Sequence, residues 1–167
     1  SDYRERLRVS SEFVEKSQRD GTEVYGVTTG VGSSVENRIP ESLRDEMSLN
    51  LVRFHGVGTG RILEEEETAA VVVARIASLA RGHSGVREEL LERLCELLNR
   101  RMLPRIPAEG SVGASGDLTP LSYLASSLVG EREVSLEGEV MSAVEAHTAL
   151  GLEPLTLKPK ESLAIMN

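Results

Sequence analysis

Residues 63 to 81 carry the pattern that most limits the fold. Glu64, Glu65, Glu66 and Glu67 crowd one end, Arg75 and Arg81 lie toward the other, and Gly82 follows. That polarity matches the dipole of a helix with a glycine stop. The middle, Ala69-Ala70-Val71-Val72-Val73-Ala74, is apolar nearly all round. A helix of this kind needs neighbours on several sides, and where one is missing it leaves apolar surface exposed. The four glutamates read as a solvated helix start rather than a metal cluster, and no metal is expected.

The rest of the chain offers helical neighbours. Leu7, Val9, Phe13 and Val14 predict a short amphipathic helix within residues 4 to 18. Leu43, Met47, Leu51 and Phe54 predict another over 40 to 55, and Leu90, Leu94, Leu97 and Leu98 a third over 86 to 102. Pro104, Pro107 and Gly110 then break the pattern. Leu118, Leu121, Leu124, Ala125 and Leu128 form a further apolar face, stopped by Gly130. Residues 133 to 141 read as a hairpin turning at Glu137-Gly138, residues 142 to 150 as a short helix ended by Gly151, and residues 160 to 167 as a last helix. The class is mainly α with short β hairpins. Aromatic residues make up only 3% and Trp is absent, so the core is aliphatic. Cys95, the single cysteine, reads as a small buried apolar residue of a reducing compartment. His83 reads as structural and His147 as a surface residue.

A length of 167 residues suits one domain, and 40% hydrophobic with 28% charged residues suits a globular one. The net charge of −8 argues against nucleic-acid binding. No apolar run is long enough to span a membrane, and the charged start Ser1-Asp2-Tyr3-Arg4-Glu5-Arg6 has no apolar signal core, so cytoplasm is the expected location.

Three glycine-bearing stretches stand between these elements. Val24-Tyr25-Gly26-Val27-Thr28-Thr29-Gly30-Val31-Gly32-Ser33-Ser34 reads as a loop with a short strand at its start. Its spacing is not that of a phosphate loop and no lysine follows, so no nucleotide is expected. Tyr25 reads as a packing residue or a base. A phenol titrates at about 10, so a base role needs a partner or a positive field. Phe54-His55-Gly56-Val57-Gly58-Thr59-Gly60 ends a helix, with His55 at the dipole's negative end. Gly113-Ala114-Ser115-Gly116-Asp117-Leu118-Thr119-Pro120 is a tight loop aimed at a helix start, with Asp117 and Thr119 as starting residues and Pro120 in the first turn.

The chain resembles the ammonia-lyase and aminomutase family for histidine and aromatic amino acids. The resemblance rests on Val24 to Gly30, Asn50-Leu51-Val52-Arg53-Phe54-His55, Ala77-Ser78-Leu79-Ala80-Arg81-Gly82, Gly110 to Ser122, and Gly151-Leu152-Glu153-Pro154-Leu155-Thr156-Leu157, in that order. It implies the N-terminal cofactor-forming domain of the aromatic amino acid lyase fold, as a single domain over 1–167 without the C-terminal helical bundle. It implies a 4-methylidene-imidazole-5-one (MIO) made from Ala114, Ser115 and Gly116, with Asp117 assisting cyclisation. It implies Tyr25 as the base for the substrate's β-proton, Phe54, His55 and Asn167 as substrate-pocket residues, and Gly32 on the tyrosine loop. Full-length family members are expected to be homotetramers acting on small amino acids.

The implied reaction is loss of ammonia from an L-aromatic amino acid or L-histidine, leaving an α,β-unsaturated acid. An aminomutase would return the ammonia to the β-carbon. The pair Phe54-His55 is compatible with both classes. Phe54 offers an apolar wall that favours an aromatic substrate. Family subunits are longer, so the chain is expected to be part of a larger lyase subunit, and an isolated domain without turnover is a further alternative.

Overall fold

The elements form where apolar spacing and start signals coincide. In the computed structural model, which describes residues 2–167, the helices are α1 (Asp2–Arg19), α2 (Arg44–His55), α3 (Glu65–Leu79), α4 (Glu88–Asn99), α5 (Leu118–Leu128), α6 (Ala143–Ala149) and α7 (Glu161–Met166). A single 3₁₀ turn, Glu41–Leu43, leads into α2. The strands are β1 (Thr59–Ile62), β2 (Met102–Pro104), β3 (Pro107–Glu109), β4 (Glu133–Leu136) and β5 (Glu139–Ser142). The mainly helical class is as the spacing predicts.

Three strands, β1 to β3, lie where the sequence suggests no strand. β1 and β3 pair antiparallel, and β2 adds to the edge of the β4–β5 hairpin, which turns at Glu137-Gly138 as expected. The prolines fit because Pro104 closes an edge strand and Pro107 opens one, positions where a missing N–H costs no ladder bond. The expected helix over 86 to 102 therefore stops at Asn99. Near Tyr25 there is no strand: residues 25–28 turn, and the only pairing close by is the bridge Thr29↔Arg38.

α5 is the centre of the body. Every residue from Pro120 to Leu128 is buried, not just its leucine face. Small residues allow this: Ser122 and Ser127 turn their hydroxyls back onto the carbonyls of Thr119 (2.6 Å) and Leu124 (2.8 Å). Around it lie Leu51 and Val52 of α2, Val72 and Leu79 of α3, Leu90, Leu94 and Leu97 of α4, and Leu163 to Met166 of α7. Each fully buried leucine contributes about 1.5–3 kcal/mol relative to exposure.

His147 corrects a surface expectation. It is fully buried, and its Nε2 donates to the Ser127 carbonyl at 2.8 Å. The hairpin and the Ser142–Glu145 capping box fold α6 back over α5, which carries the imidazole inward. Cys95 is half-buried, its thiol pushed up by burial and by Glu92. On α3 the outward stripe Ala70, Val73, Ala74 and Ala77 is exposed, as its all-round apolar middle implied. Among the described residues no helix is long and apolar enough to cross a membrane.

The glutamates at the start of α3 have separate tasks. Glu64 and Glu67 form a capping box, Glu67 pairs with Arg61 at 2.7 Å, and Glu65 pairs with Arg101 at 2.6 Å. The Arg61 hydrogen bonds, helped by the Glu64 backbone N–H, pull the Glu67 carboxyl down to about 2. Because this value is depressed on folding, the cap is fully in place above the ordinary carboxylate range and is lost as pH falls through about 2. A carbon-detected titration should find Glu67 ionising near about 2, and R61Q should move it back toward the ordinary range.

The strongest long-range link joins α4's start to α7's start. Glu161 is buried, and its carboxylate accepts from the Arg87 backbone N–H (3.2 Å), Arg87 Nε (2.9 Å), Arg87 Nη2 (2.9 Å) and the Lys158 N–H (2.7 Å). Arg87 also donates to the Thr156 carbonyl at 2.9 Å. Removing one member leaves the other charge buried and unpaired. R87M should lower the unfolding free energy by about 3 kcal/mol in a urea titration.

Candidate active site

The position of α7 comes from its neighbours. All six of its residues, Glu161 to Met166, are buried. Glu161 ties its first turn to Arg87, and Ser48 of α2 donates to the Lys158 carbonyl just before it, at 3.2 Å. Two of the glycine loops rest on this helix. Gly26 lies so close to Leu163 that a Cβ there would overlap the leucine Cδ1. Gly116 lies against the main chain of Asn167: a Cβ on Gly116 would stand 2.6 Å from the Asn167 Cα and 2.8 Å from its carbonyl carbon.

The loop at 113–116 is wound through left-handed backbone. Gly113 has φ +62°, Ser115 +58° and Gly116 +93°. Glycine takes such values freely, but for Ser115 they cost about 1–2 kcal/mol. Ala114, Ser115 and Gly116 are exposed. Asp117 stands at the N-cap of α5, as its reading as a helix-start residue expects, but its side chain makes no capping hydrogen bond. Its Oδ1 is instead buried without a hydrogen-bond partner. Burial pulls the Arg75 guanidinium of α3 down, and the charge of Asp117 partly offsets this.

Tyr25 is half-exposed, and its hydroxyl oxygen accepts from the Gly32 N–H at 2.9 Å. The hydroxyls of Thr28 and Thr29 accept from the Val24 and Gly26 N–H groups at 2.8 and 3.3 Å and so fix the turn that carries it. His55 places Nδ1 2.8 Å from the Leu51 carbonyl. A carbonyl only accepts, so Nδ1 carries the hydrogen and Nε2 is the free lone pair of the neutral ring. Phe54 is 77% exposed and meets His55 edge-on, with centroids 5.3 Å apart. Thus the structure brings Gly116 against Asn167, Tyr25 against Gly32, and Phe54 against His55. Among the described residues no hydrogen bond links Tyr25, His55 or the Asn167 side chain to Ala114-Ser115-Gly116.

Three positioning groups escaped the sequence reading. Arg132 lies 4.5 Å over the Tyr123 ring and donates to the Gly56 carbonyl at 2.8 Å, and the Tyr123 hydroxyl accepts from the Gly58 N–H at 3.1 Å. Together they fasten the glycine turn after His55. A tyrosine inside a buried helix was the available signal, since its hydroxyl needs a partner. Arg75, set in an apolar run, was read only as a charge for the helix dipole. Among the described residues no three His, Cys, Asp or Glu side chains converge as a metal site.

Known proteins place this arrangement. The chain is 45% identical over 161 residues to the histidine ammonia-lyase of Shouchella clausii, covering 96% of this chain and 32% of that protein. It is 44% identical over 158 residues to the MIO-dependent tyrosine 2,3-aminomutase of Streptomyces globisporus, covering 95% of this chain and 29% of that protein. It superposes on the phenylalanine aminomutase of Pantoea agglomerans with a TM-score of 0.94 at 31% identity, covering 99% of this chain and 32% of that one. The chain thus spans about a third of the length of the curated relatives it matches. The family model for aromatic amino acid lyases matches residues 1–167 throughout, and this chain belongs to the aromatic amino acid lyase family.

Proposed function

We propose that this chain is the cofactor-forming domain, residues 1–167, of a cytoplasmic ammonia-lyase that removes ammonia from L-histidine or an aromatic L-amino acid. The product is an α,β-unsaturated acid. The observation that carries the reading is the backbone of the 113–116 loop: Ser115 is held left-handed at φ +58°, and Gly116 has no room for a side chain against Asn167. A φ near +60° sets the Ala114 and Ser115 carbonyl carbons gauche, as closure of a five-membered ring requires. These residues fit a 4-methylidene-imidazole-5-one.

The chemistry needs only the chain itself. The Gly116 nitrogen forms a bond to the Ala114 carbonyl carbon. The Ala114 oxygen leaves as water with the hydrogens of the Gly116 and Ser115 nitrogens. The Ser115 hydroxyl leaves as a second water with its Cα hydrogen, giving the methylidene. Asp117, beside the Gly116 peptide, is the group that assists these proton movements. Once formed, the group supplies an electrophile for the amine or ring of the substrate.

The other residues orient and move protons. Tyr25 takes the β-proton through its phenolic oxygen, which the Gly32 N–H holds in place. His55 offers Nε2 to the substrate, Phe54 supplies an apolar wall, and Asn167 borders both substrate and loop. The first-turn N–H groups of α5 stabilise negative charge beside Ser115. The remaining length of the subunit and a homotetramer complete the pocket. A second reading, a 2,3-aminomutase, is favoured by the 44% identity to the tyrosine enzyme, almost that of the histidine lyase. In it the ammonia returns to the β-carbon.

Intact mass should show the subunit lighter by two waters, and G116A should keep the unmodified mass. Incubation with L-His, L-Phe and L-Tyr should yield free arylacrylate or its imidazole counterpart by ultraviolet absorbance. A β-amino acid with little free acrylate would decide for the aminomutase, and an unmodified mass would overturn both. Y25F should lower kcat by about 10²–10⁴-fold while leaving the mass loss intact.

A further inference from the structure

We propose that Arg75 is a positioning residue for the Ala114-Ser115-Gly116 loop, holding the end of α7 in place as the surface against which Gly116 is pressed. This rests on reading the loop as a cofactor precursor. Arg75 Nη1 donates to the Ala164 carbonyl at 3.3 Å and to the Asn167 main-chain oxygen at 3.0 Å. The same Asn167 backbone stands at 2.6 Å from where a Gly116 Cβ would be. The arginine is therefore one residue removed from the loop, through a contact of main chain on main chain that has no side chain to cushion it.

A second link comes from charge. Asp117 follows Gly116 directly, its Oδ1 is buried without a hydrogen-bond partner, and its charge favours the protonated form of Arg75. The guanidinium is half-buried on α3, between the apolar positions Val72, Ile76 and Leu79, and burial weakens its hold on its proton. Arg75 is thus linked to both sides of the Gly116 contact: to the Asn167 backbone by hydrogen bond and to Asp117 through the field of its charge. Removing it frees the wall behind the loop and leaves the Asp117 carboxylate without its counter-charge. A plain helix cap would affect stability and nothing else. A positioning residue also sets the rate at which the Gly116 nitrogen reaches the Ala114 carbonyl.

The test follows mass with time in the full-length subunit carrying this chain, as unsubstituted protein, R75M and R75K, with S115A as the unmodified mass standard. The unsubstituted subunit should be lighter by two waters. R75M should fold, by circular dichroism, yet lose water about 100-fold more slowly, the scale expected when a reacting group is misplaced by about 1 Å. R75K, which keeps a charged donor, should recover part of the rate. Amide exchange at Asn167 should speed up in R75M with that of α5 unchanged. Should R75M fail to fold, R75Q, which keeps one neutral donor, is read in its place. A folded R75M or R75Q that loses water at the unsubstituted rate overturns the proposal alone. An unsubstituted subunit of unmodified mass overturns the precursor reading and this proposal with it.

Discussion

The architecture depends on one buried carboxylate. Glu161 collects four donors from Arg87 and Lys158, and it does so at the first residue of α7. A paired charge in the interior stabilises little over an apolar substitute, but it is specific. It admits one register of α7 against α4, and that register sets where Leu163 and Asn167 fall. The Tyr25 turn and the Ser115 loop take their positions from those two residues. Local backbone strain at Ser115 is thus held by packing well away from it.

A second frame surrounds the other side of the candidate site. Gly58 and Gly110 meet backbone to backbone, with a Gly110 Cβ position only 3.2 Å from the Gly58 Cα. Tyr123 and Arg132 hold the Gly58 side of that contact. The segment that follows His55 and the segment that enters the 113–116 loop therefore share one wall. α2 carries Phe54 and His55 to this wall, and Arg53 pairs with Glu131 across it. Phe54, Val57 and Val112 around it are large apolar groups that remain exposed.

Much of this was legible in the sequence because helices announce themselves by period. The leucine spacing located α4 and α5, and the Glu-rich start with its glycine stop located α3. The strands β1 to β3 were not legible: three or four residues beside prolines carry no usable alternation, and only pairing in space defines them. His147 read as surface because the short Ala-rich pattern of α6 gives no sign of which face the hairpin folds inward. The Ala-Ser-Gly loop and Tyr25 were legible through family motifs, not through physics alone. Arg75 was invisible because its partners are main-chain oxygens, and no sequence pattern encodes those.

The contact between Gly116 and Asn167 also imposes an order of events. The loop emerges from synthesis long before α6 and α7 exist, so its backing surface is absent while the chain is still growing. The strained turn has nothing to press against until α7 has docked. Docking of α7 is therefore the event that completes the surface behind the loop.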